Sequence, residues 1–335
     1  MICYVCGFLE LYLYFSGDEI SRILERCTLD TYIPSPWLFC GGLQTRVAIG
    51  SVTVPFVREY QREILKARNG STVSIDWFDH PEEMNKKFAG LLLIMNHACN
   101  GNMTLVNSAI SLCGEYNLGC CLITMPGISD LPLSFSNAGF NLSLLPELEA
   151  TMERVNQHVG VHFPKVGLGF SLGGIPLLEF SEFAGKSAFF ATAYVSLPIN
   201  IEQFLIDETL VTTHCLRQMQ SVVRANSEFL TSVNPAWCAQ AMEATSLKEF
   251  LQSTCPNPEV LLTNQNRPTL LVFAIDDVAV PFFDSVDLIK LTKNKQIAIV
   301  VTENGGHCGF KTVHTHSVIV TTCLEFLANT VRPDF

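Results

Sequence analysis

A serine at position 171 stands in a context that can turn its hydroxyl into a nucleophile. It is the centre of Gly169-Phe170-Ser171-Leu172-Gly173, where an apolar stretch ends and a helix-period stretch begins. A serine in such a strand-to-helix turn is held on strained backbone that lifts its Oγ above a sheet, and small residues two positions away avoid collisions. The N–H of Leu172 would start the helix, which makes it the first candidate donor to an oxyanion.

A serine hydroxyl reacts slowly at neutral pH, so the chemistry also needs a base and a carboxylate that orients the base. His307 lies in a glycine-rich turn directly after the apolar stretch 297–302, and Asp276 and Asp277 end the stretch that begins at residue 269. The order serine, acid, histidine is the one expected after a G-x-S-x-G turn. Asp277 is favoured as the acid because it stands four residues before a proline, the usual spacing in such loops, and Asp276 is then expected to cap backbone N–H groups.

A second oxyanion donor is expected from the loop that follows the apolar stretch 91–96. The N–H of Ala98 is the candidate. His97, its neighbour, stays open between a surface residue beside the site and a direct participant. The nucleophile, base, acid and donors all come from the chain, so neither a metal nor an organic cofactor is implied.

Short apolar stretches that alternate with helix-period segments predict an α/β fold with a mainly parallel, doubly wound sheet. The predicted strands are 71–78, 91–96, 120–125, 165–170, 188–197, 269–276 and 297–302, and the predicted helices are 104–117, 143–158, 172–184, 283–293 and 313–330. Residues 201–265 contain no convincing strand and are interpreted as a helical cap inserted over the carboxyl edge of the sheet. Residues 51–335 would then form the main domain, with 1–50 packing on it or anchoring it.

The composition excludes one class of partner and favours another. Of the 335 residues, 48% are apolar and 16% charged, against roughly 25% charged in an average soluble protein. A net charge of −11 and the absence of a basic run argue against nucleic acid. The high fraction of apolar residues is more consistent with an acyl ester or a lipid as the substrate.

Residues 1–15 are apolar apart from Glu10 but too short to span a membrane. They are interpreted either as a buried segment or as a peripheral membrane anchor, so the location stays open between membrane and cytoplasm. The 13 scattered cysteines, including the pair Cys3 and Cys6, are expected to be free thiols.

Further segments form a distinctive set. They are Tyr32-Ile33-Pro34-Ser35-Pro36-Trp37-Leu38-Phe39 followed by Gly42-Leu43-Gln44-Thr45, then Asn69-Gly70-Ser71, Asp76-Trp77, Phe135-Ser136-Asn137-Ala138-Gly139, Ser246-Leu247-Lys248-Glu249-Phe250 and Gly305-Gly306-His307-Cys308-Gly309-Phe310. With the Ser171 turn, they resemble the α/β-hydrolase domain proteins that include eukaryotic acylglycerol lipases and phospholipases, bacterial YheT-like esterases and fungal alcohol acyltransferases. The sequence departs from that family in three places. Gly42 replaces a usual His, Asn96-His97 replaces Pro-Gly, and Met125 to Ser129 replaces a segment that usually contains Arg-Gly.

The resemblance implies the α/β-hydrolase fold and a serine esterase. The favoured hypothesis is hydrolysis of carboxylic esters of lipids or medium-chain acyl groups through an acyl-enzyme on Ser171. A second hypothesis keeps the same three residues and transfers the acyl group to an alcohol. A third, motivated by the altered loop at Asn96-His97, is a lipid-binding protein with the hydrolase fold and reduced activity.

Overall fold

A nine-stranded β-sheet runs through the protein in this computed structural model. The structure describes residues 11–28, 32–50, 56–96, 104–125, 131, 141–184, 188–250, 255–282, 287–312 and 317–332. The strands are β1 (Leu11–Phe15), β2 (Gln61–Lys66), β3 (Thr72–Trp77), β4 (Gly90–Asn96), β5 (Leu118–Thr124), β6 (Lys165–Phe170), β7 (Ala191–Val195), β8 (Thr269–Ala274) and β9 (Ile297–Thr302). They lie side by side in the order β1-β9-β8-β7-β6-β4-β5-β3-β2.

Six of these strands form a parallel core. β4 pairs in parallel with β5 and β6, and the parallel pairing continues through β7, β8 and β9. Every residue of the five strands β5, β6, β7, β8 and β9 is buried, which explains why these strands are almost continuously apolar. The prediction of a mainly parallel, doubly wound sheet is confirmed.

The direction of winding reverses at β4. The next strand in the chain, β5, lies on one side of β4, and β6 lies on the other. In such sheets a crevice opens at the carboxyl ends of the strands where the order reverses, and ligands bind there. Ser171 directly follows β6, which places it at this crevice.

The two strands that the sequence did not predict are β1 and β2. Both pair antiparallel, β1 with β9 and β2 with β3, and each forms an edge of the sheet. β1 buries alternate residues and β2 leaves most of its residues partly or fully exposed, so neither gives a continuous apolar signal. Residues 11–15 thus lie in the sheet with Leu11, Leu13 and Phe15 buried, and residues 1–10 lie outside the described part.

Helices cover both faces of the sheet. They are α1 (Asp18–Leu24), α2 (Gly41–Gly50), α3 (Met84–Lys87), α4 (Thr104–Leu112), α5 (Leu145–Val159), α6 (Gly174–Phe183), α7 (Ile201–Ile206), α8 (Leu210–Ala225), α9 (Ser227–Val233), α10 (Pro235–Glu243), α11 (Leu247–Phe250), α12 (Pro258–Asn264), the short helix Leu288–Leu291 and the C-terminal helix Val318–Val331. In the part of the chain that the structure describes, none is both long and apolar enough to cross a membrane.

Several helices differ from the predicted bounds at their ends. The helix predicted over 104–117 ends at Leu112 and tightens into a 3₁₀ turn, which stops where Asn117 adopts a left-handed φ of 60°. The helix predicted from 172 starts as a 3₁₀ turn, Ser171–Gly173, before α6. The first residues of the helices predicted over 283–293 and 313–330 lie outside the described residues.

Two buried apolar clusters separate the layers. Leu271 and Phe273 of β8 belong to one cluster, and Leu270 and Val272 belong to the other, because successive side chains of a strand point to opposite faces. The first cluster also contains Phe204 and other residues of the helices between 201 and 264. These helices are therefore packed on the same face as α5 and α6.

Candidate active site

The structure brings the three predicted residues Ser171, His307 and Asp277 together at the carboxyl edge of the sheet. Ser171 follows β6, Asp277 follows β8 and His307 follows β9. Ser171 Oγ lies 2.6 Å from His307 Nε2, and His307 Nδ1 lies 3.0 and 3.1 Å from the two carboxylate oxygens of Asp277. A hydroxyl, an imidazole and a carboxylate thus form one hydrogen-bonded series.

The backbone around Ser171 has the strained form that the motif predicts. Ser171 has a φ of 49°, which a residue with a side chain adopts only at a cost of order 1 kcal/mol. A Cβ on Gly169 would lie 2.6 Å from Gly174 Cα, so the strand and the helix approach closely at these two glycines. Pro176 falls in the first turn of α6, where its missing N–H would have no partner within the helix.

Neighbouring aspartates have different partners. Asp277 Oδ1 accepts hydrogen bonds from the N–H groups of Ala279 and Val280, at 2.8 and 2.9 Å, so the carboxylate is fixed while it faces His307. Asp276 Oδ1 accepts the N–H of Gly306 at 2.9 Å, as expected for a residue that caps backbone groups. Burial raises the pKa of the Asp276 carboxyl above its ordinary value, although backbone N–H groups counter this.

His307 and Asp277 are almost fully enclosed, with 5% and 4% of their surfaces exposed. The ring of Phe204 lies near the imidazole, with 6.2 Å between ring centroids and 31° between ring planes. Phe204 belongs to α7, in the predicted cap. Ser171 is less enclosed than its two partners, as a residue that must meet a substrate has to be.

Of the two predicted oxyanion donors, the structure describes one. Leu172 is buried in the 3₁₀ turn that follows β6, where the first N–H groups have no acceptor within the helix. Ala98 and His97 lie outside the described residues, in the stretch after β4.

This arrangement can move a proton without a cofactor. The imidazole can accept the hydroxyl proton at Nε2 while Asp277 holds the proton on Nδ1. Among the described residues, no group of three His, Cys, Asp or Glu side chains is placed to hold a metal ion.

Comparisons with known proteins agree with this fold. No protein-family model matches the sequence. The chain is 25% identical to the mouse protein named phospholipase ABHD3, covering 92% of this chain and 82% of that one. It is 26% identical to the human phospholipase ABHD3, covering 88% and 78%.

Two solved structures show the same fold at lower identity. The ferulic acid complex of Est1E from Butyrivibrio proteoclasticus has a TM-score of 0.54 at 15% identity, covering 80% of this chain and 99% of that one. A membrane phospholipase A described as a bacterial virulence factor has a TM-score of 0.53 at 15% identity, covering 85% and 89%. The chain has the α/β-hydrolase fold.

Sequence reasoning missed the side chains that hold the loop carrying His307, which we call the histidine loop. The N–H of His307 donates to Thr45 Oγ1 at 2.7 Å, and the N–H of Lys311 donates to Gln44 Oε1 at 2.7 Å. The N–H of Cys308 donates to Ser196 Oγ at 3.1 Å. In the sequence, Thr45 and Gln44 stand out only as part of a motif shared with the resembled family, and nothing in the sequence around Ser196 indicates a functional role.

A cleft of about 290 Å³ lies beside Phe204. Its lining includes the apolar residues Ile199, Phe204 and Val280 and the polar residues Asn200 and Asp207. Val280 also donates its N–H to Asp277, so the cleft shares residues with the site.

The described cysteines are free, and most are buried, as expected. Burial raises the pKa of the Cys27 and Cys255 thiols to about 12, so these thiols stay protonated at neutral pH. Cys3, Cys6 and Cys99 lie outside the described residues.

Proposed function

We propose that this protein cleaves carboxylic esters of lipids or medium-chain acyl groups through an acyl-enzyme on Ser171. One observation carries the proposal: the contacts of 2.6 Å and 3.0 Å that link Ser171, His307 and Asp277. The similarity to proteins named phospholipase supports an ester substrate with a lipid part.

In the first half of the reaction, Ser171 Oγ bonds to the ester carbonyl carbon while His307 Nε2 takes the hydroxyl proton. The negative charge moves to the carbonyl oxygen, which the N–H groups of Leu172 and Ala98 would stabilise by roughly 3 kcal/mol each. When the carbonyl re-forms, the bond to the alcohol breaks and the alcohol oxygen takes the proton from His307. The acyl group then remains on Ser171.

In the second half, His307 Nε2 takes a proton from water, and the water oxygen bonds to the acyl carbon. The bond to Ser171 Oγ breaks, and Oγ recovers its proton from His307. An alcohol in place of water would give acyl transfer instead, so product analysis separates hydrolysis from transfer.

The helices of residues 201–265 are proposed to act as the cap over this site. In support of this, the ring of Phe204, on α7, lies 6.2 Å from that of His307, and Phe204 also borders the cleft. An apolar cover of this kind lowers the local dielectric constant around the developing oxyanion and so strengthens its stabilisation.

Peripheral contact with a lipid surface also belongs to the proposal. Trp37 and Phe39 are 84% and 70% exposed. Their segment leads directly into α2, which contacts the histidine loop through Thr45. Tryptophan and phenylalanine side chains of this kind are favoured at membrane interfaces, so the two residues would hold the site near its lipid substrate.

A fluorophosphonate probe tests the proposal, because it bonds covalently to an activated serine. The wild type should be labelled and should hydrolyse p-nitrophenyl butyrate, and Ser171→Ala should do neither. Ser181→Ala is a matched control, since Ser181 is a buried serine of α6 whose hydroxyl donates to Gln265. A folded wild type that binds lipid vesicles but shows no labelling would instead support a binding protein. Equal labelling of wild type and Ser171→Ala would overturn the assignment of the nucleophile.

A further inference from the structure

The loop that carries His307 is held by four side chains from three separate parts of the chain. The loop follows β9 and includes positive φ angles at Gly306, Cys308 and Phe310, of 58°, 54° and 41°. Residues with side chains adopt such angles only where their surroundings impose them. The shape of this loop therefore depends on the partners of its backbone N–H groups.

Four of those partners are side-chain oxygens, whereas the N–H of Phe310 donates to the carbonyl of Gly305 within the loop, at 2.8 Å. Asp276 accepts the N–H of Gly306, and Ser196 accepts that of Cys308. The two remaining acceptors are adjacent residues of α2. Thr45 accepts the N–H of His307, and Gln44 accepts that of Lys311. Neither Thr45 nor Gln44 has any exposed surface.

Gln44 is itself fixed by further partners. Its Oε1 lies 2.9 Å from the hydroxyl of Tyr32, and its Nε2 donates to the carbonyl of Leu38 at 3.1 Å. Tyr32 in turn lies edge-on to the ring of Phe310, with 6.0 Å between centroids. Residues 32–45, which we name the QT segment, thus form one connected support for the loop.

Close backbone contact leaves the support little room to move. A Cβ on Gly306 would lie 2.2 Å from the carbonyl oxygen of Gly41, and a Cβ on Gly41 would lie 1.9 Å from that of Asp276. The start of α2 is therefore packed between the loop that carries Asp276 and Asp277, which we call the acid loop, and the histidine loop.

We infer that Thr45 is a positioning residue for His307. The inference rests on the proposed function. The backbone N of His307 is bonded to the Cα that carries the imidazole side chain, and its N–H donates to Thr45 Oγ1 at 2.7 Å. The imidazole must meet Ser171 and Asp277 at the same time, at 2.6 and 3.0 Å. A shift of about 1 Å in such a group can lower a rate by about 100-fold.

Thr45→Val tests the inference, because valine has nearly the same shape and lacks the acceptor oxygen. We expect kcat for p-nitrophenyl butyrate to fall by about 10- to 100-fold with little change in KM. Thr45→Ser keeps the hydroxyl and should stay within about threefold of the wild type. Thr151→Val is the matched control. Thr151 is a buried threonine of α5 whose hydroxyl donates to the Glu147 carbonyl, so its loss should affect stability and leave kcat unchanged.

Should Thr45→Val fail to fold, Thr45→Ala provides the same test, because its smaller side chain leaves room for water at the amide. A fall in kcat that serine rescues supports the inference. Wild-type kcat in a folded Thr45→Val or Thr45→Ala, or an equal loss in Thr45→Ser at unchanged melting temperature, would overturn it. Failure of the proposed function has a different signature, since wild type and Ser171→Ala would then be equally inactive.

Discussion

Replacing each of the adjacent aspartates by asparagine separates their roles. Asp277 faces His307 Nδ1 at 3.0 Å, whereas Asp276 Oδ1 accepts the backbone N–H of Gly306. Asparagine keeps the size of the side chain and one acceptor oxygen. The substitutions therefore change the charge and the donor pattern at each position while they preserve the packing.

The structure indicates how an asparagine at position 277 would lie. Asp277 Oδ1 accepts two backbone N–H groups, from Ala279 and Val280, so this position requires an oxygen. The amide NH₂ would then take the place of Oδ2 and point at His307 Nδ1. An NH₂ donor there favours the imidazole tautomer with its proton on Nε2, which cannot accept the proton of Ser171.

The loss can be estimated from the distance. At 3.0 Å, a carboxylate and an imidazolium attract each other by about 5.5 kcal/mol at an effective dielectric constant of about 20. Because 1.36 kcal/mol corresponds to a factor of ten, this is about 10⁴ in rate. For Asp276→Asn we expect a change in kcat of less than about tenfold, because an amide oxygen can still accept the N–H of Gly306.

Steady-state hydrolysis of p-nitrophenyl butyrate at pH 7.5 or so, with fluorophosphonate labelling rates as a second measure, provides the assay. Circular dichroism should show that both variants are folded. A larger loss in Asp276→Asn than in Asp277→Asn would refute the assignment of the acid. A loss of less than about tenfold in Asp277→Asn would refute the electrostatic argument.

Two further predictions concern the QT segment. Gly41→Ala should lower the melting temperature and the labelling rate, because its Cβ would lie 1.9 Å from a backbone oxygen. In Gly42→Ala the added Cβ meets nothing within 4 Å and should stabilise α2 by about 0.5 to 1 kcal/mol. Equal effects of the two substitutions in thermal unfolding would contradict the packing argument. Trp37→Ser combined with Phe39→Ser should reduce cosedimentation with phosphatidylcholine vesicles and leave hydrolysis of a soluble ester unchanged; vesicle binding equal to that of the wild type would remove these two residues from the proposed lipid contact.

The parallel core and the three facing residues were predictable because they share one cause. A strand buried on both faces must be apolar along its length, so β6, β8 and β9 are visible in the sequence. Residues that follow the carboxyl ends of parallel strands meet at one edge. That rule alone predicts that Ser171, Asp277 and His307 lie at the same edge of the sheet.

The edge strands and the acceptors of the histidine loop could not be predicted in the same way. β1 and β2 each have a neighbour on one side, and β2 is mostly polar. The bond from His307 to Thr45 joins residues 262 positions apart. A buried threonine in a helix is common, and nothing in its local sequence distinguishes one that accepts a distant N–H.

The neighbours Gly41 and Gly42 show how closely the site constrains the QT segment. Gly41 lies against the acid loop and leaves no space for a side chain, whereas the space around Gly42 is open. Four positions after Gly41, Thr45 also contacts the loop that carries His307, because residues four apart lie on the same side of a helix with 3.6 residues per turn. Substitutions on that side should therefore change the rate of the reaction, whereas a substitution at Gly42, where the resembled family usually has histidine, can occur without moving His307.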